Sequence, residues 1–161
     1  MTAPSAVRPC DWFPTIARLT ETKLPPHPID GRDIWPLLTQ PGAPSPHDSL
    51  FFYYNDCQLQ AMRSGRWKLM FPHEVVSTES IELGHDGLPG KNSRRKIDFE
   101  LYDLIDDIGE QKNLVESHPE IVASLKAKAD IMREELGDRL QQKTGKGVRP
   151  HQDFPVVSSA K

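Results

Sequence analysis

The side chains able to do chemistry are dispersed along this chain rather than gathered in one motif. The histidines are His27, His47, His73, His85, His118 and His151. None forms an H-x-x-x-H or H-x-H pair, the spacing that would bring two imidazoles to one metal ion. His73 follows the apolar run Trp67 to Phe71, a place from which a ring could touch a substrate. Asp103, Asp106, Asp107 and Glu110 crowd one short stretch. A calcium loop would need Asp or Asn at alternate positions before a glycine. Ile105 and Ile108 occupy two of those positions, so the stretch reads as a solvated turn. Arg63, Arg66 and Lys68 flank Ser64-Gly65. Strand alternation puts Arg66 and Lys68 on one face, where two cations could meet an anionic group. The wet face of an ordinary sheet is the plainer alternative. No serine carries the marks of an elbow nucleophile. Cys10 and Cys57 form no Cys-x-x-Cys pair and read as small buried hydrophobes.

These groups need elements to position them. Asp11 suits a helix N-cap, with Pro14 in the first turn and Trp12, Ile16 and Leu19 spaced for a buried face. Residues 24–33 are a turn-rich connector, after which Asp33 caps a short helix carrying Ile34, Trp35, Leu37 and Leu38. The middle of the chain predicts strands over 50–54, 59–63, 67–71 and 99–104, with Ser64-Gly65 as a tight hairpin turn. Residues 74–98 are polar, contain Arg94-Arg95-Lys96, and read as an inserted loop or a ragged hairpin. The clearest element is a helix capped by Ser117, with Pro119 just inside and Glu120 completing a capping box. Its stripe of Ile121, Leu125, Ala129, Met132, Leu136 and Leu140 carries it to about Leu140. The expected fold is α+β: a small four-stranded antiparallel sheet packed by the long C-terminal helix.

Composition bounds the function. The 161 residues are 37% hydrophobic and 27% charged, with a formal charge of -3. That balance argues against a nucleic-acid binder driven by phosphate neutralisation, which needs a basic excess. No run of about 18 apolar residues offers a membrane-spanning helix. Met1 to Arg8 contain no apolar core of a secretory signal. Fifteen prolines predict short elements and many breaks.

Four segments together resemble one family, the sulfatases. Asp11-Trp12-Phe13-Pro14-Thr15 is similar to their Asp-Leu/Trp-Phe/Met-Pro-Thr segment. Asp30-Gly31-Arg32-Asp33-Ile34-Trp35-Pro36-Leu37-Leu38 resembles an Asp-Gly segment that ends in Pro-Leu-Leu. Ala61 to Leu69 looks like their Arg-Ser/Thr-Gly-x-Trp/Tyr-Lys hairpin. Leu101-Tyr102-Asp103-Leu104, then Asp107, Gly109, Glu110, Asn113 and Leu114, resembles their Leu-Tyr-Asp-Leu turn, with Ile108 in place of the usual proline. The four occur in the family's order and resemble the C-terminal third of arylsulfatase A-type enzymes.

The resemblance implies a division of the chain. Residues 1–45 would be the edge of a missing large α/β domain, 46–140 the C-terminal subdomain of the alkaline-phosphatase-like fold, and 141–161 a flexible tail. It implies a partner, the missing N-terminal catalytic domain. Calcium and formylglycine are expected in a full-length relative and none in this chain, because no Cys/Ser-x-Pro-Ser/Ala-Arg motif is present. No catalytic residue is assigned; the expected substrate contacts are His73, Lys68 and Arg66. The chain is therefore read as a C-terminal sulfatase fragment, inactive alone. That reading expects exposed apolar surface at Trp12, Phe13, Ile16, Ile34 and Leu37. The alternative is a stand-alone, non-catalytic binding or assembly module derived from the same region.

Overall fold

The computed structural model describes residues 7–77, 84–88 and 90–148. A single 3-10 turn, Pro9–Asp11, leads into α1, Trp12–Leu19, and α2 follows at Trp35–Thr39. Strands β1 (Leu50–Tyr54), β2 (Gln58–Ser64), β3 (Trp67–Met70), β4 (His73–Ser77), β5 (Ser93–Ile97) and β6 (Glu100–Asp103) come next. Helix α3 spans Pro119–Leu136, and two short strands, β7 (Gly137–Asp138) and β8 (Lys143–Thr144), bracket a 3-10 turn. The main sheet has the order β1-β2-β3-β6 with every pairing antiparallel. The α+β fold read from the sequence is the fold observed.

A bulge sets the core. Phe52 pairs with Ala61 but Tyr53 pairs with Leu59, so Gln60 is an extra residue in β2. Skipping one residue brings Leu59 and Met62 to the same face despite strand alternation. Met62, Leu69 and Leu101 then form a row across β2, β3 and β6. Leu125 and Ala129 of α3 close over that row with Leu59 and Phe71.

Helix α3 departs from its expected ends. His118, not Ser117, precedes the first helical residue, and no side chain caps it. The helix stops at Leu136 because Gly137 turns to φ +83, where a side chain would also strike the Lys143 carbonyl at 2.7 Å. The inward stripe ends on Arg133, while Leu136 and Leu140 are exposed. Within the stretch read as an inserted loop or ragged hairpin, β4 and β5 form a second antiparallel sheet, in register from His73↔Ile97 to Ser77↔Ser93; residues 78–83 and 89 lie outside the described residues. Of the stretch expected as a tail, Lys143 and Thr144 pair with Asp138 and Gly137; residues 149–161 lie outside the described residues.

Helix α1 is inside out. Its buried residues are Pro14, Thr15 and Ala17. Trp12, Phe13, Ile16 and Leu19 are 50, 56, 53 and 47% exposed: the spacing of Trp12, Ile16 and Leu19 predicts a buried face, whereas Trp12, Phe13 and Ile16 lie at the surface as the fragment reading expects. Ile34, also expected at the surface, is fully buried, and Leu37 is half-buried. Both cysteines are exposed, contrary to their reading as buried hydrophobes. Cys57 belongs to the β1–β2 turn, where Asn55, Asp56 and Cys57 all take positive φ, and its thiol donates to the Leu136 carbonyl at 3.2 Å.

Candidate functional site

Arg66, Lys68 and His73 occupy the β2–β3–β4 region, and each has an internal partner. Arg66 sits in the turn before β3. Its Nε donates to Asp103 at 2.6 Å, and its terminal nitrogen reaches both Asp103 and Asp106. The guanidinium also lies 5.7 Å from the centre of the Trp67 ring. Asp103 is opposite Trp67 across the ladder, whereas Lys68 is opposite Tyr102. Arg66 thus reaches a carboxylate on the face that Lys68 does not share. Lys68 Nζ donates to both oxygens of Glu110, at 2.7 and 2.8 Å. The sequence brought these two cations together; the structure gives them separate anions.

The 103–110 turn supplies those anions and is ordered by them. The Arg66 hydrogen bond holds the Asp103 carboxyl below its ordinary value of 3.8. Asp107 accepts from the amides of Gln111 and Lys112, each at 2.8 Å. Asn113 takes the Leu101 amide at 3.0 Å and ties the turn's exit to β6. Asp103, Asp106 and Glu110 are already matched by cations, so this donor set does not fit a calcium ion. Among the described residues, no group of three or more His, Cys, Asp or Glu is arranged to hold a metal.

His73 is 7% exposed, and its Nδ1 lies 2.6 Å from the Phe71 carbonyl. With the proton on Nδ1, the ring donates to that carbonyl and anchors the base of the β4–β5 hairpin. It is a buried hinge-side group in this chain, not an open one.

A second node was not legible in the sequence. The Asp11 carboxylate is fully buried and receives the Arg8 amide at 2.7 Å, the Arg32 amide at 2.8 Å and His47 Nε2 at 2.8 Å. Burial alone would raise this carboxyl, but the two amides and the imidazole outweigh it and hold it below 3.8. Thr15 continues the node, donating to the Asp11 carbonyl at 2.6 Å and accepting from the Ile34 amide at 3.0 Å. Gly31 allows the close approach: a Cβ there would lie 2.2 Å from the Cys10 carbonyl oxygen. Asp11 therefore ties two distant segments, at Arg32 and His47, to the turn at Arg8 rather than capping α1 with its side chain. Beside it runs an open groove of about 840 Å³, lined by Leu37, Leu38, Pro41, Ser49, Leu50 and Arg63 among others.

The four-stranded antiparallel sheet with helix α3 packed on it is an α+β unit in which Arg66 and Lys68 are paired internally. The family model for the C-terminal region of aryl-sulfatase matches residues 45–153. The chain belongs to the sulfatase family and represents that C-terminal region. It is 34% identical to bovine arylsulfatase A over 119 residues, covering 69% of this chain and 22% of that protein. It is 46% identical to mouse steryl-sulfatase over 66 residues, covering 38% of this chain and 10% of that protein. A solved structure described under metabolism of multiple glycosaminoglycans by Bacteroides thetaiotaomicron matches with a TM-score of 0.54 at 24% identity, over 78% of this chain and 24% of that one. The chain thus spans less than a quarter of the length of these relatives.

Proposed function

We propose that this chain is the C-terminal part of a sulfuric ester hydrolase, inactive by itself, whose chemistry resides in a larger N-terminal part. Residues 1–45 border that part, and residues 46–140 form the accessory sheet and helix beside its substrate mouth. The observation that carries this reading is the inverted helix α1. Four large apolar side chains half in water each forgo roughly 1 kcal/mol of burial, and a neighbouring domain restores it. Arg66 and Lys68 then act as positioning residues that hold the 103–110 turn at the mouth, and His73 fixes the adjoining hairpin. Sulfate-ester cleavage needs a strong nucleophile and groups that stabilise developing negative charge; the sequence offers no formylglycine motif to supply the first. A stand-alone module would need the α1 face covered by its own residues, and among those described it is not.

The test is hydrolysis of 4-nitrophenyl sulfate. The purified chain shows no turnover, and turnover appears when it is co-expressed with the coding sequence found upstream in the source genome. Turnover by the chain alone, or an upstream region encoding no sulfatase, overturns the reading.

A further inference from the structure

Asp-Gly occurs twice in this chain, at Asp30-Gly31 and Asp86-Gly87. Glycine has no Cβ to shield its amide nitrogen, so that nitrogen can attack the carboxyl of the aspartate before it. The fold treats the two pairs differently. A Cβ on Gly31 would lie 2.2 Å from the Cys10 carbonyl oxygen, and the next amide, of Arg32, donates to the buried Asp11 carboxylate at 2.8 Å. Tertiary contacts therefore hold that stretch of main chain. Around Gly87 there is open space, and a Cβ there would meet nothing within 4 Å. Residues 84–88 are all exposed. One main-chain bond, from the Leu88 amide to the His85 carbonyl at 3.0 Å, closes the turn. Both central residues take positive φ, +54 at Asp86 and +77 at Gly87, as in the I′ turns that Asp-Gly favours. Among the described residues, no acceptor takes the Gly87 amide. The Asp86 carboxylate has His85 Nδ1 at 3.0 Å, in a pair whose side chains are 90 and 83% exposed, a contact too wet to hold it. The carboxylates of Asp11, Asp107 and Asp138, by contrast, each accept two main-chain amides.

We infer that Asp86-Gly87 is a modification site, at which the main chain rearranges to isoaspartate while Asp30-Gly31 stays intact. The Gly87 nitrogen bonds to Cγ of the protonated Asp86 carboxyl. Its hydroxyl leaves with the amide proton as one water, and a five-membered cyclic imide remains. One water then adds back at either ring carbonyl. Addition at the side-chain carbonyl breaks the new C–N bond and restores aspartate. Addition at the main-chain carbonyl breaks the original peptide bond, so that the chain runs on through the side-chain carboxyl and the α-carboxyl is free. One water leaves and one enters, the product is an isomer, and nothing is oxidised or reduced. Asp86 has to leave its positive φ to form the ring. A residue with a side chain holds that conformation at a cost, and a single exposed hydrogen bond opposes the departure. The isomer places an extra methylene in the main chain between β4 and β5 and moves the carboxylate to the α-carbon. This inference uses neither the α1 face nor the sulfatase reading, so it stands or fails apart from them.

The experiment ages the full chain at mildly acidic pH, where part of the carboxyl carries the proton that the leaving hydroxyl needs. A second sample ages in guanidinium chloride, and both are then digested with trypsin. Cleavage after Lys68 and Lys91 isolates Asp86, and cleavage after Lys23 and Arg32 isolates Asp30; neither peptide holds another Asp or any Asn. In the folded chain the 69–91 peptide yields a second chromatographic species of unchanged mass, labelled by an isoaspartyl methyltransferase, and the 24–32 peptide stays single. In guanidinium chloride both peptides yield the labelled species, because the fold and not the dipeptide protects Asp30. The variant Asp86→Glu, which would need a larger ring, loses the labelled species from its 69–91 peptide. Circular dichroism before and after ageing checks that the chain stays folded. Label in both peptides of the folded chain overturns the inference. So does its absence from the folded 69–91 peptide when the denatured one has formed it, a 24–32 peptide that stays single even in guanidinium chloride, or label that persists in Asp86→Glu.

Discussion

Helices α1 and α3 are both amphipathic and pack in opposite senses. Helix α3 lays Leu125 and Ala129 on the sheet and leaves most of its charges in water. Helix α1 turns Thr15 and Ala17 inward and leaves its tryptophan, phenylalanine, isoleucine and leucine half exposed. An apolar stripe shows that a helix has a partner; it does not show that the partner lies in the same chain. For α3 the partner is the sheet. For α1 no partner exists among the described residues, which is the state expected of an interface whose other side belongs elsewhere.

Substitutions on the two helices separate their roles. The largest loss of stability is expected in α3 at Arg133→Ala. Arg133 is 3% exposed, donates to Asp138 at 2.8 Å and lies 4.4 Å from the Phe71 ring centre. Removing it strands a buried carboxylate, at roughly 3–5 kcal/mol by urea unfolding. Leu125→Ala opens a cavity under the same helix and costs roughly 2–4 kcal/mol in the same assay. Acid comes next. Asp11 and Asp103 are both held below 3.8, so their contribution is full above that value and is lost as pH falls through the lower folded values. Urea midpoints should therefore drop as pH is lowered from about 6 to about 3, and the drop should be shallower in Asp11→Asn. The smallest effect is expected on α1: Trp12→Ser with Ile16→Ser shifts stability by no more than about 0.5 kcal/mol while reducing self-association in sedimentation. If that double variant costs as much as Leu125→Ala, α1 is a core helix and the comparison between the helices collapses.

Much of this was legible in the sequence, and the failures have causes. The strands at 50–54 and 67–70 stand out because aromatic and other large apolar side chains cluster between turn residues. The β4–β5 pairing was legible only as one of two readings, a ragged hairpin beside an inserted loop, because Glu74, Arg94, Arg95 and Lys96 are wet and no apolar alternation marks their strands. Periodicity carried α3 past its true end, since Leu140 keeps the spacing although Gly137 breaks the backbone. Strand alternation placed Arg66 beside Lys68, but Arg66 precedes the strand and answers to the 103–110 turn, a tertiary neighbour. Asp11 carries the sequence marks of an N-cap, and its role depends on His47 and Arg32, contacts that no local pattern encodes. The α1 stripe was visible as a stripe; which side of it meets water was decided by Ile34 and Thr15, which hold the opposite face.

The central claim is that the outward face of α1 is the docking face for the rest of a sulfatase. It is tested most directly by affinity co-purification of this chain with the co-expressed upstream part, comparing the native sequence with Trp12→Ser, Phe13→Ser, Ile16→Ser. A stable complex is expected with the native chain and its loss in the triple variant, with the circular dichroism of the isolated chain unchanged. Equal recovery of the complex with both would contradict it.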